Sequence, residues 1–159
     1  IVYGLGPIPD CSEKAPWEVM RDSIQSITVK RRVKGIVDLA FCNLHKLTAV
    51  ELHSDLKRIK ERTFMNCTLL KTIAIPDRVT RIGASSFENC SNLKKVQLLK
   101  NLGEIKCYTF NGCTELQTIN TRVSHQLESA HLKVPGFLSK QLHLQMKTLS
   151  FCAKWERST

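Results

Sequence analysis

Four of the chain's six phenylalanines, Phe41, Phe64, Phe87 and Phe110, stand 23 residues apart. A period kept by so bulky an apolar residue means that one structural unit is built again and again. The other apolar residues keep the same count. Ile24, Leu47, Leu70, Leu93 and Leu116 form one column, and Ile27, Val50, Ile73, Val96 and Ile119 a second. Val29, Leu52, Ile75 and Leu98 follow, then Val33, Leu56, Val79 and Leu102, then Ile36, Ile59, Ile82 and Ile105. The unit reads LxxIxIxxxVxxIxxxxFxNCxxL, without insertion or deletion over four copies. A unit this small cannot bury its apolar face alone, so the copies must stack as a solenoid.

Within each unit the alternation Ile27-Thr28-Val29, copied at 50–52, 73–75 and 96–98, has the period of a half-buried strand. Stacked coils pair such strands into a parallel sheet. The VxxI step, as in Val79-Thr80-Arg81-Ile82, has room for a second, shorter strand. Apolar residues at helical spacing over Asp38–Leu44 and Ala84–Cys90 predict a short helical turn that carries the Phe inward. The expected fold class is an α/β solenoid of four 23-residue coils, with short parallel strands and short helical turns, capped at both ends.

Cys67, Cys90 and Cys113 occupy the column that Leu44 fills in the first copy, which predicts buried, reduced thiols packed as small hydrophobes. Disulfide or metal links between coils are the alternative, but parallel side chains and the lack of an adjoining His column speak against them. Asn43, Asn66 and Asn89, with Gly112 in the fourth copy, are expected to satisfy backbone groups at a turn.

With 159 residues the chain is sized for one domain. No apolar run approaches the roughly 20 residues of a membrane span, and no charged start followed by an apolar stretch marks a leader. The chain opens at Ile1, as a processed or partial product would, so that lack says little about compartment. Seven cysteines without a CxxC pair fit neither a disulfide framework nor a structural zinc site. A formal charge of +10 attracts acidic partners, though it also serves solubility alone.

These residues resemble the BspA-like leucine-rich-repeat family, also called the Treponema pallidum type. Ile75-Pro76-Asp77-Arg78-Val79-Thr80-Arg81-Ile82-Gly83 and Phe87-Glu88-Asn89-Cys90-Ser91-Asn92-Leu93 read like the family's IPxxVTxIGxxAFxxCxxL unit. The likeness covers about residues 24–121. The lead-in, with Ala15-Pro16-Trp17 and Arg21-Asp22-Ser23-Ile24, resembles the segment that closes the first end of bacterial members, and Trp17 is the candidate plug. Val37, Lys60 and Lys106 depart from the family's Gly after the VxxI step, and Thr63, Ser86 and Thr109 replace the small residue before Phe. The resulting division is an N-terminal cap over 1–23, repeats over 24–121, and a divergent cap or tail over 122–159, where alternation from Leu142 to Trp155 suggests further strands.

Outward positions of stacked strands suit protein recognition. They comprise Thr28, Glu51, Ala74 and Gln97, with Lys30, His53, Pro76 and Leu99 beside them. A second outward face is basic, and its candidates for a polyanion, as an alternative ligand, are Arg32, Lys34, Lys57, Arg58, Arg78 and Arg81. Stacking should align Arg32 with Arg78 across Asp55, and Arg58 with Arg81. No aromatics interleave there, which makes nucleic acid an unlikely partner. No catalytic motif is present, the five His fall in no ligand spacing, and neither metal nor cofactor is expected. The resemblance implies a surface or secreted protein, typical of host-associated bacteria or protist parasites, whose repeats mediate adhesion to host matrix proteins or other cells. A rigid spacer is the third alternative.

Overall fold

The computed structural model describes residues 17–98, 102 and 104–121. A short 3-10 helix, Glu18–Ser23, leads into nine strands. Five longer ones, β1 (Ser26–Val29), β3 (Ala49–Leu52), β5 (Thr72–Ala74), β7 (Lys95–Leu98) and β9 (Thr118–Thr121), alternate with four two-residue strands. The latter are β2 (Gly35–Ile36), β4 (Arg58–Ile59), β6 (Arg81–Ile82) and β8 (Glu104–Ile105). Every pairing is parallel and offset by one repeat, as in Ile27 opposite Val50 and Ile59 opposite Ile82. Period-two alternation therefore turns Ile27, Val29, Ile73, Val96 and Leu98 into the core while their neighbours face out.

The short strands form one continuous sheet, β2-β4-β6-β8. The long strands do not. They divide into β1-β3 and β5-β7-β9, with β3 packed beside β5 but joined to it by no ladder. The sequence supplies a reason. His53 donates its N–H to the Val29 carbonyl at 3.1 Å, whereas Pro76, one coil later, has no N–H to donate. Val50 and Leu52, on the strand that faces this gap, are only half-buried.

The third side of each coil corrects one expectation. Its arc contains no helix; it is a chain of turns. Leu39, Phe41 and Asn43 donate their N–H groups to Glu61, Thr63 and Met65 of the next coil at 3.0, 2.9 and 2.8 Å. The intervening Ala40 and Cys42 instead bond back to Val37 and Leu39 within their own coil. Residues in the left-handed region punctuate the arc, in columns Leu39, Arg62, Ser85 and Tyr108 and then Asn43, Asn66, Asn89 and Gly112. A positive φ reverses the next peptide unit, so helical i→i−4 bonding cannot propagate and alternate N–H groups are free to reach the neighbouring coil. The apolar spacing of three and four that suggested a helix is equally the spacing of successive turns.

The Asn column thus combines tolerance of left-handed backbone with a side-chain ladder. Asn66 donates to Asn43 Oδ1 at 2.6 Å and Asn89 to Asn66 Oδ1 at 3.0 Å, bonds that replace the backbone contacts expected of these residues. The ladder stops at Gly112, where a Cβ would overlap Asn89 Oδ1.

The core is a stack of like residues. Phe41, Phe64, Phe87 and Phe110 lie 5.4, 5.4 and 5.6 Å apart by ring centroid, and Trp17 extends the stack at 5.3 Å from Phe41 while donating its indole N–H to Ala40 O at 3.0 Å. Half-buried there, Trp17 occupies the place foreseen for a plug. The hydroxyls of Thr63, Ser86 and Thr109 lie within bonding reach of two carbonyls each, one in their own coil and one in the coil before. This accounts for a polar residue in a buried column.

Candidate functional site

On the strand face, register brings the expected residues together in two pairs. Thr28 lies opposite Glu51 and donates to its Oε2 at 3.3 Å, while Ala74 lies opposite Gln97 in the other ladder. Lys30 is exposed, Pro76 is half-buried, and Leu99 falls outside the described residues. His53 turns to its own loop. Its Nδ1 accepts from the Asp55 N–H at 3.3 Å and stands 3.6 Å from Asp55 Oδ2. Sequence reasoning passed over Lys71, Lys94 and Lys95. All three are exposed beside β5 and β7, and Lys94 donates its N–H to Lys71 O at 2.8 Å. Their signal was the 23-residue offset between Lys71 and Lys94 just before each strand.

The basic face resolves into two parts. In the first, the Arg32 N–H donates to Asp55 Oδ2 at 3.1 Å and Arg78 lies 3.9 Å from Asp55 Oδ1. The Arg32 N–H above all, then Arg78 and Arg31 by their charge, hold the Asp55 carboxyl below its ordinary value. This Asp55 therefore offsets the column that contains Arg32 and Arg78.

The second part holds Lys34, Lys57, Arg58 and Arg81, all exposed. Lys57 donates its N–H to Lys34 O at 2.8 Å, which stacks those two residues, and Arg58 lies opposite Arg81 in the β4–β6 ladder. Among the described residues neither arginine has an ion-pair partner. Beside them runs a groove of about 430 Å³ whose floor includes Ile59, Ile82 and Gly83. Its rim carries Arg58, Arg81, Lys60 and Lys106, together with Asp38 and Glu61. Gly83 interrupts the column that Lys60 and Lys106 continue on either side, each linked to the short sheet through its backbone N–H. An added Cβ at Gly83 would meet the Lys60 carbonyl carbon at 2.5 Å.

The thiol column points inward. Cys67, Cys90 and Cys113 sit with Sγ 3.2, 3.2 and 3.1 Å from the carbonyls of Phe41, Phe64 and Phe87. Burial pushes Cys67 and Cys113 up to about 12 and Cys90 well above its ordinary value. Cys42 is also buried and raised, whereas Cys107 is exposed. Among the described residues no group of His, Cys, Asp or Glu converges as a metal-binding cluster, and no helix is long and apolar enough to cross a membrane.

The profile of the BspA type leucine rich repeat region matches residues 20–130 in six copies. Among solved structures, a leucine rich cell surface protein of Faecalibacterium prausnitzii is 26% identical, with a TM-score of 0.61 over 65% of this chain and 27% of that one. A leucine rich repeat protein of Treponema pallidum is 30% identical, with a TM-score of 0.58 over 59% of this chain and 44% of that one. A leucine-rich repeat protein of Eubacterium ventriosum shares the fold at 21% identity and a TM-score of 0.57, over 79% and 39% of the two chains. The chain therefore spans less than half of each of these proteins. No curated protein sequence matches it.

Proposed function

The chain belongs to the BspA type leucine-rich-repeat family, and from that premise we propose that it is a non-catalytic module that binds a protein partner through its strand face, at a cell surface or outside the cell. Leucine-rich repeats are interaction folds whose stacked strands present an extended surface. The observation that carries the reading is the make-up of that surface. The outward residues Thr28, Glu51, Ala74 and Gln97 are held in register by main-chain ladders, yet no two share the same chemistry. Two laddered pairs of unlike groups on packed coils fit one particular partner better than a repeated ligand, and the order within each pair reduces the entropy lost on binding. The setting is supported by the similarity to the Faecalibacterium prausnitzii cell surface protein. Adhesion to a host matrix protein or to another cell is the form of binding we favour.

Capture of the chain on a panel of immobilised matrix proteins, followed by the double variant Glu51→Lys, Gln97→Ala, tests this. We expect one protein to retain the chain at high salt and the variant to bind about ten-fold more weakly. Failure of every matrix protein to retain it, or equal retention of the variant, overturns the reading.

A further inference from the structure

The basic groove lies away from the strand face and is not explained by it. Arg58 and Arg81 are ladder neighbours, so their charged side chains are held one strand spacing apart, about 4.8 Å at the backbone. Like charges directly opposite one another destabilise a sheet. Asp55 relieves the Arg32 and Arg78 column. In the short-strand ladder, by contrast, Arg58 stands between Gly35 and Arg81, with Glu104 opposite Arg81 on its far side, and no ion pair joins Arg58 or Arg81 to a carboxylate among the residues whose side chains are described. Lys34 and Lys57 continue the positive line along the solenoid axis, and the groove lined by Ile59, Ile82 and Gly83 forms a recess beside it.

We propose that this recess and the cations along it bind an anionic polysaccharide, with Arg58 and Arg81 taking its sulfate or carboxylate groups. Three features select this class. The guanidinium forks suit planar or tetrahedral oxyanions. Asp38 and Glu61, at the Lys60 end of the groove, present carboxylate oxygens that accept hydrogen bonds from sugar hydroxyls, which a polymer of phosphates and bases does not offer. Part of that end is already neutral, because Lys60 lies 3.5 Å from Asp38. Finally, the groove is lined by no aromatic residue on which bases stack, and its isoleucines are buried, so it offers neither a nucleic-acid platform nor an apolar wedge for a bilayer.

The test is binding of the whole chain to immobilised heparin and to hyaluronan, with a DNA duplex as competitor and salt as the variable. R58Q/R81Q should weaken heparin binding about ten-fold or more. K71Q/K94Q removes the same charge from the strand face and should change it less than about three-fold. Equal losses in the two variants would reduce the effect to diffuse attraction and sink the site. Retention on heparin alone assigns sulfate as the recognised group, and retention on both assigns carboxylate as sufficient. Failure to bind either polymer, or displacement by DNA as effective as by free heparin, overturns the proposal. Thr80→Lys provides a second handle that removes no existing cation. It extends the Lys34 and Lys57 column by one coil and should tighten heparin binding about two-fold or more; unchanged binding counts against the groove. The strand-face variant Glu51→Lys, Gln97→Ala leaves these residues intact, so the fate of the protein-binding reading is decided separately.

Discussion

Pro76 occupies the position at which, one coil earlier, His53 donates its backbone N–H to Val29 at 3.1 Å. One missing donor thus coincides with the division of the long-strand sheet into β1-β3 and β5-β7-β9.

Restoring that donor should close the sheet. In Pro76→Val the amide at position 76 is expected to become protected from hydrogen exchange by a ladder between β3 and β5. Net stability should move by less than about 1 kcal/mol, because the hydrogen bond gained is offset by the extra freedom of an unfolded chain without proline. An amide at 76 that exchanges as fast as a loop amide would show that something other than the proline divides the sheet.

The aromatic stack should dominate stability. Phe87 is fully buried between Phe64 and Phe110, and Phe87→Ala is expected to lower the unfolding free energy by about 3–5 kcal/mol in denaturant titrations. A loss below about 1 kcal/mol would mean that the coils close over the cavity at little expense.

The thiols predict both reactivity and a pH limb. Cys107 should react with a thiol reagent in the native chain, while Cys67, Cys90 and Cys113 stay reduced and unlabelled until denaturant is added. Burial raises the Cys67 and Cys113 values from 9.0 to about 12. A thiol whose folded value is raised is neutral in both states below the unfolded value, so its contribution is complete there. It is lost as pH climbs from about 9 through 12, because the unfolded chain gives up the proton first. Melting temperatures should therefore fall over that interval, and the fall should shrink in Cys67→Ala, Cys113→Ala. Labelling of all three column thiols without denaturant would refute the inward placement.

The left-handed column offers a stabilising change. Arg62 has φ 52°, where a long side chain is disfavoured and asparagine is tolerated. Arg62→Asn should raise stability by about 0.5–1 kcal/mol, read as a higher denaturation midpoint with an unchanged slope. A lower midpoint would show that the exposed Arg62 side chain contributes more than its backbone strain takes away.

How much of this could be read beforehand depended on what each residue reports. The Phe, Leu and Cys columns were legible because burial demands apolar side chains at a fixed interval, and register then paired Arg58 with Arg81 and Thr28 with Glu51. The arcs were misread as helical because spacing records which side chains point inward, while the sign of φ at Leu39 and Arg62 leaves almost no mark on an L-residue sequence. The groove was missed for a related reason. Its lining joins Ile59, Ile82 and Gly83 from two coils, and in that column the sequence drew notice only to Val37, Lys60 and Lys106, as departures from glycine. Repeat spacing set Asp55 between Arg32 and Arg78 and apart from Arg58 and Arg81, but not the reach of its carboxylate to the Arg32 N–H and the Arg78 guanidinium, which a linear pattern does not encode.

The amide ladder of Asn43, Asn66 and Asn89 joins the first three coils by the same side-chain bond across 23 residues. Duplicating one such unit in the gene therefore inserts a coil whose contacts above and below already exist, and deleting one rejoins surfaces that already match. Slipping the frame by a single residue breaks every column at once. Lineages of this chain should vary in length by whole coils, so the reach of the molecule can evolve by copy number while its core chemistry stays unchanged.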